Sequence, residues 1–455
     1  MTIEYTSEQV LALAPDASSA KSGQELANTR KWQSLAMSAT AVWGECQGSG
    51  SKPYQCRAHL EGPAFKCSCP SRKFPCKHGI GLLLLYALSK SSFREAEHPK
   101  WVQEWLDSRT ERAQKKEKQE ENRTAEQIEE ARLAKEKRRA GRMDSVHAGV
   151  EELELFLCDL MRQGVGQIKN ESYSFFEARA ARLVDAQAPG LARLIRECAS
   201  ITSAKTDWQE TLLNRLATIY LIARAFRNIE NLNAEMREDV LAAVGFTQSQ
   251  DGLLSGGEAI ADSWYVIGQS IYSEDKLRVQ KSFLWGKNTN RIAMILSFAH
   301  GTAPFDVLLI PGNYYDGEVV YYPSVYPLRA LLKSHTLIDQ QSTPVERAQG
   351  AVSIEAALKE YAAALSRLPW LETLPLILSA QTLVVDHDLS LYSTDSEGAA
   401  LPLATRNSTG WQLMAFSSGS PVTLFGQFDG VSLTPLAALH EGRGSYLRLA
   451  AGDAP

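Results

Sequence analysis

A chain of 455 residues, 44% hydrophobic and 22% charged, has room for two to four domains of about 100–200 residues each, and its ordinary composition excludes collagen-like, mucin-like and wholly disordered architectures. The longest apolar run, GIGLLLLYAL at 79–88, falls well short of the roughly 18–20 residues of a bilayer span, and the opening MTIEYTSEQV lacks a basic segment followed by an apolar core, so a cytoplasmic protein with no membrane contact is expected. The net charge of −5 splits into +6 over residues 1–142 (24 Lys+Arg, 18 Asp+Glu) and −11 over the remainder (24 against 35), which predicts a basic module on an acidic body.

In chain order, residues 1–39 read as a helical lead-in, with TSEQVLALA opening on a cap at Thr6 or Ser7. Residues 40–95 read as a small module. Strand TAVWGEC, a turn in QGSGSKP and strand YQCRAHL come first; after Gly62-Pro63 follow the short AFKCSC, the Pro-bounded loop PSRKFP and a helix over CKHGIGLLLLYALSK. Residues 96–145 read as a linker, and within them 100–142 shift to low complexity. Between Arg109 and Arg142 stand 12 basic and 8 acidic residues, with Ile128 and Leu133 the only large aliphatics, so this segment cannot bury a core and reads as a charged helical linker. Its basic pentad KEKRR, at 135–139, is a candidate for contact with nucleic acid or a partner.

Residues 146–250 place apolar positions three and four apart in EELELFLCDLMRQ, YSFFEARAARLVDAQ, PGLARLIRECASI and QETLLNRLATIYLIARAFRNI. That period predicts a helical bundle with Cys158 and Cys198 as core thiols. Residues 251–455 read as a mainly β domain: from Trp264 the period drops to two, in WYVIGQSIYS, LRVQKSFLWG, RIAMILSFAH and GEVVYYPSVYP. One or two helices follow in VSIEAALKEYAAALSRL, and strand-like runs return in TLVVDHDLSLYS, GWQLMAFSS, PVTLFGQF and SYLRLA. The predicted fold class is α+β multidomain: a small N-terminal ββα module, a charged helical linker, a helical bundle and a mainly β C-terminal region with inserted helices.

Seven cysteines are too few for a disulfide scaffold in so long a chain, yet five lie between positions 46 and 76. Cys67-Ser-Cys69, a six-residue gap and Cys76-Lys-His78 put three thiols and an imidazole within twelve residues. This donor set suits a closed tetrahedral zinc site. Cys76 and His78 straddle the predicted helix start, where unpaired N–H groups and the helix dipole favour thiolate over thiol. Lys66, Arg72, Lys73 and Lys77 offset the formal −1 of a Cys₃His centre. Catalytic zinc keeps an open position and fewer thiolates, so one structural Zn²⁺ is expected.

With strands before it and an apolar helix after, this stretch resembles the SWIM zinc finger, whose pattern is Cys-x-Cys, a variable gap, then Cys-x-His. The resemblance covers roughly residues 40–90 and carries the ligand role onto Cys67, Cys69, Cys76 and His78. More widely, WGECQGSGSKPYQC, KCSCPSRKFPCKH, FLWGKNTNRIAMILSFA and YYPSVYPLRALL resemble segments of bacterial SWIM-containing proteins of similar length. The resemblance implies binding of DNA or protein without catalysis, and a place in a larger assembly, alongside an AAA+ ATPase.

Other candidates read as structural. Cys46 and Cys56, opposite each other if the hairpin turns near Ser51, are expected as a reduced thiol pair, and His59 as a solvent-facing strand residue. In Asp386-His387-Asp388 neighbouring side chains on a strand would face opposite ways, so a turn is expected. GLLSGG at 252–257 lacks the Gly-Lys-Ser/Thr of a phosphate loop, and SSGS at 417–420 lacks the nucleophile-elbow pattern. Tyr314, Tyr315, Tyr321, Tyr322, Tyr326, Trp264 and Trp285 read as core and sheet-face packing. No enzyme active site emerges. The expected function is a non-catalytic adaptor in a cytoplasmic protein assembly. The alternative is nucleic-acid binding through Lys52, Arg57, Lys66, Arg72, Lys73 and Lys77, since residues 51–90 carry seven Lys+Arg against the single acid Glu61. The apolar helix after His78 must be buried, which leaves no recognition helix.

Overall fold

The computed structural model describes residues 5, 7–14, 17–47, 52–60, 64–71, 73–108, 125–170, 173–202, 208–274, 277–300, 305, 307, 309–338, 350–405, 407–440 and 445–449. Its first unit contains α1 (Ser7–Ala12), α2 (Ala17–Leu26), β1 (Trp32–Met37), β2 (Ala41–Cys46), β3 (Tyr54–His59), β4 (Ala64–Cys67), α3 (Lys77–Leu88), β5 (Arg94–Glu95) and α4 (100–108). The sheet runs β4-β3-β2-β1-β5, antiparallel except for the parallel β1–β5 edge. One face carries α3, buried from His78 to Tyr86 against Val42, Cys56, Ala58 and Phe65. A helix apolar on all sides has to lie inside a core, and each leucine so buried contributes about 1.5–3 kcal/mol. Helix α2 lies across α3 at a pair of glycines: a Cβ on Gly81 would stand 2.7 Å from Leu26 Cβ, and one on Gly23 would stand 2.5 Å from Ile80 Cγ2.

Two expected boundaries shift here. Residues 32–37, read as part of the helical lead-in, form strand β1, because Trp32 and Ala36 find buried places beside β2. The β2–β3 hairpin of the expected ββ module thus sits within a five-stranded sheet. Residues 96–108, read as linker, belong to the same unit: Val102 and Trp105 of α4 are buried, and Val102 packs on Ala36, Ala41 and Trp43 across the sheet from α3.

Helix α5 (Ala125–Gln163) crosses the expected border between linker and bundle without a break. Residues 133, 134 and 136–141 are exposed, and they give way to a buried stripe at Val146, Val150, Leu153, Leu157 and Leu160, spaced three and four apart. That stripe packs with α6 (Tyr173–Asp185), α7 (Pro189–Thr202), α8 (Trp208–Arg227) and α9 (Ala234–Val244). Cys198 lies in the bundle core, where burial pushes its thiol up to about 12, whereas Cys158 is only half-buried.

After α10 (Gln250–Gly256), strands β6 (Ala259–Glu274), β7 (Leu277–Gly286), β8 (Ile292–His300), β9 (Tyr314–Tyr321) and β10 (Arg329–Leu337) close into a barrel. Its strands pair antiparallel as β8–β7–β6–β9–β10, and the parallel pairing of β10 with β8 closes the ring. After α11 (Ile354–Arg367) the same order recurs in β11 (Leu374–Val385), β12 (Leu391–Thr394), β13 (Ala400–Leu403), β14 (Val422–Phe428) and β15 (Leu433–His440). A single parallel pair, Leu403 with Leu433, closes this second ring; α12 (Asn407–Ser417) lies between its third and fourth strands, and β16 (Ser445–Arg448) extends β15.

The units are tied together. Tyr265, Phe283, Trp285 and Tyr314 of the first barrel pack on Phe425, Ala437 and Leu439 of the second, and Ile310 inserts into the N-terminal core. Trp264, Tyr265, Trp285, Tyr314 and Tyr315 are buried and Tyr321, Tyr322 and Tyr326 half-buried, so the aromatic set is mainly packing. Among the described residues no helix is long and apolar enough to cross a membrane.

Candidate metal centre

The last residue of β4 is Cys67, and the chain turns through Cys69 and a Pro-bounded loop before Cys76 caps α3 and His78 enters its first turn. The three Sγ atoms and a ring nitrogen of His78 all lie within 4.8 Å of one another, with Cys76 Sγ 3.9 Å from His78 Nδ1. Tetrahedral ligands about 2.3 Å (S) and 2.0 Å (N) from a zinc ion stand about 3.5–3.8 Å apart in a Cys₃His set, so inward adjustments of about 1 Å or less complete the shell. The donor set and its spacing fit zinc. Cys76 and His78 are buried, whereas Cys67 and Cys69 are partly open.

The thiols are electrostatically unequal. Hydrogen bonds from Cys67 and Cys76, helped by the Ser71 amide, hold Cys69 well below the usual thiol range. Cys67 is pushed up by its contacts with Cys56 and Cys69, and Cys76 by those with Cys67 and Cys69, though the Gly79 amide opposes the rise at Cys76. Without a cation, three such sulfurs cannot all be ionised; a divalent ion removes that conflict.

Two neighbours of the centre were not foreseen. Cys56 stands directly across β3–β4 from Cys67, fully buried, and the Tyr54 ring lies 5.1 Å from the His78 ring. Cys56 was expected opposite Cys46 instead. In the β2–β3 register Cys46 faces Tyr54 and Cys56 faces Gly44, because that hairpin is centred one residue earlier than Ser51 and each such step moves a pairing by two. The readable signal was the second hairpin: Cys56 and Cys67 lie symmetrically about Glu61-Gly62. His59 pairs with Ala64, at the other end of β4 from the ligands.

The six expected contact residues separate. Lys52, Lys66, Lys73 and Lys77 are exposed, while Arg72 lies outside the described residues. Arg57 is a correction: it is 7% exposed, sealed on the far face of the sheet by Trp101 and Trp105, and so is not placed for nucleic-acid contact. Of the KEKRR pentad, 136–139 lie exposed on α5.

The remaining motifs serve the fold. The Asp386 carboxylate accepts the His387 amide and that of Asp388 the Ser390 amide, in the turn between β11 and β12. GLLSGG lies largely in α10, capped by Ser249, and SSGS ends α12.

Comparison with family models matches residues 66–87 to the SWIM zinc finger and residues 141–244 to the SWIM-associated four-helix bundle domain. No curated protein and no solved structure matches the chain.

Proposed function

We propose that this SWIM zinc-finger protein is a non-catalytic cytoplasmic adaptor, with one structural zinc ion stapling its N-terminal module and its bundle docking a partner protein. By resemblance, that partner belongs to an AAA+ ATPase-containing assembly. The zinc ligands join the end of β4 to a helix buried on every side, which suits a staple and leaves the helix nothing to read a groove with. The carboxylates of Asp386 and Asp388, beside His387, are engaged by turn amides, which supports a role without catalysis there.

The observation that carries the adaptor reading is a stripe on α8. Leu213, Tyr220 and Leu221 are 44%, 40% and 42% exposed, and Ala217 is exposed on the same face. Spaced by four, seven and eight residues, they form an apolar helix face with no cover among the described residues, the kind of surface that marks a protein contact. Affinity capture from the native host should recover a stoichiometric partner with the wild type and lose it with Leu213→Glu/Tyr220→Glu. Unchanged capture by that variant, or recovery of nucleic acid alone, overturns the adaptor reading.

The exposed lysines around the metal centre support a second reading, nucleic-acid contact through Lys52, Lys66, Lys73 and Lys77. It requires salt-dependent DNA retardation that Lys66→Gln/Lys77→Gln abolishes while zinc is retained.

A further inference from the structure

Where α5 passes the C-terminal end of α9 and the start of α10, the surface opens into a cleft of about 830 Å³. Arg138, Arg139, Arg142 and Arg237 line it, with Phe246 and Pro323; the acids in its wall are Glu235 and Glu238. The arginines are poorly matched by carboxylates. Arg142 donates to the Gln187 and Gly245 carbonyl oxygens and lies 3.9 Å from the Phe246 ring centre, and no carboxylate among the described residues is within ion-pair reach. Arg138 donates to the Ala134 carbonyl, and Arg139 makes no hydrogen bond or ion pair among the described residues. Among the described residues Arg237 reaches the Glu230 carboxylate at 3.7 Å and donates to the Glu230 carbonyl at 3.4 Å, and its buried Nε finds no partner. Glu238 is engaged by Gln248.

We propose that this cleft binds phosphate groups, held by Arg138, Arg139, Arg142 and Arg237. Guanidinium forks match phosphate oxygens two at a time, and those of Arg142 and Arg138 are already oriented by carbonyls and, for Arg142, by a ring, so less freedom is lost on binding. The volume suits a nucleotide-sized group, and the position, between the bundle and the first barrel, is where ligand sites concentrate. The KEKRR pentad thereby acquires a role, since two of its arginines face the cleft.

An independent observation concerns the source of the phosphate. Pro323 lies in the loop joining the fourth and fifth strands of a five-stranded barrel whose strand order is that of the OB-fold, and in such barrels this loop contacts oligonucleotides. A fold alone does not assign a ligand. Here, however, the residue before Pro323 in that loop is Tyr322, with the Arg329 guanidinium 4.4 Å from its ring. An α9 carboxylate, Asp239, fixes the loop by accepting the Val325 amide at 2.9 Å. Cations in a cleft and an aromatic ring on the adjoining loop are the pairing that sequence-tolerant strand binding uses.

The test is a titration of the full-length, zinc-loaded protein with inorganic tripolyphosphate and, separately, with a thymidine 20-mer. Saturable binding of either that Arg139→Gln weakens several-fold and Arg142→Gln about tenfold or more supports the site. The arm with the tighter binding identifies the source. For the oligonucleotide the slope of log affinity against log salt should flatten by about 0.7 for each arginine removed. Among the described residues Arg139→Gln removes no hydrogen bond or ion pair, so its effect reads the cleft rather than the fold. The proposal is overturned if neither probe binds saturably, if both variants bind like the wild type, or if a poly-glutamate peptide binds as tightly with the same dependence on these arginines.

Discussion

The guanidinium of Arg57 lies 4.9 Å from the ring centre of Trp101 and 5.7 Å from that of Trp105, on the sheet face opposite the zinc-bearing helix. Burial lowers its pKa, and the two indole faces supply part of what water would have given. Trp101→Ala removes both a cation–π partner and the cover over β3. It is expected to destabilise the N-terminal module by about 2–3 kcal/mol, read by urea unfolding. A change within about 0.5 kcal/mol would mean that the stacking contributes nothing.

Loss of the metal should be felt locally. Ligands in one strand end and one helix start acquire their arrangement only when the module folds, so metal binding and folding are linked. Cys76→Ala, or a strong chelator, is expected to remove stoichiometric zinc and abolish the N-terminal unfolding transition. The bundle, with its own core from Val146 to Val244, should keep its helicity. Elemental analysis paired with circular dichroism on heating distinguishes the outcomes.

The crossing of α2 over α3 depends on the absence of a side chain. At Gly81 a methyl group would press on Leu26 Cβ at 2.7 Å and on the Gly23 carbonyl oxygen at 3.2 Å. Gly81→Ala should therefore destabilise the module by about 1–3 kcal/mol, despite alanine's better helix propensity. An unchanged melting temperature would contradict so close a packing.

A pH effect is expected where the bundle meets the second barrel. Burial alone would raise the pKa of Glu372, but Arg193 and Arg215, each 3.3 Å away, outweigh it and hold the carboxyl below its ordinary value. Such a group supplies stability that is full above its unfolded pKa, about 4.3, and is lost as pH falls through the lower folded value. The pairs are half-exposed, so the contribution is about 1 kcal/mol at most. Wild type should melt higher than Glu372→Gln at pH 7, and the gap should close as the pH falls toward about 3. A gap that widens in acid would reverse the assignment.

The parts legible in sequence were those written over short spans. The donor set Cys67, Cys69, Cys76 and His78 needs one strand end, one loop and one helix start, and spacing alone brought these to within ligand reach of a shared ion. The bundle followed from a three-and-four period. The apolar run after His78 announced its own burial. What misled was a local rule applied where distant partners decide: WQSLAM reads poorly as a strand until β2 is beside it, and Arg57 reads as a surface cation until Trp101 and Trp105 come back across the sheet.

Chemistry carried by neighbours along the chain was therefore settled by residue order, because chain connectivity already limits how far such groups can separate. Register, barrel closure and the arginine cleft were not. Cys56 meets Cys67 only through a particular hairpin register, the second barrel closes on one pair, Leu403 with Leu433, and Arg142 meets Phe246 across a hundred residues of chain. Those contacts arise from packing between segments whose separation in sequence leaves their relative placement free until the cores form, and so they belong to the tertiary structure.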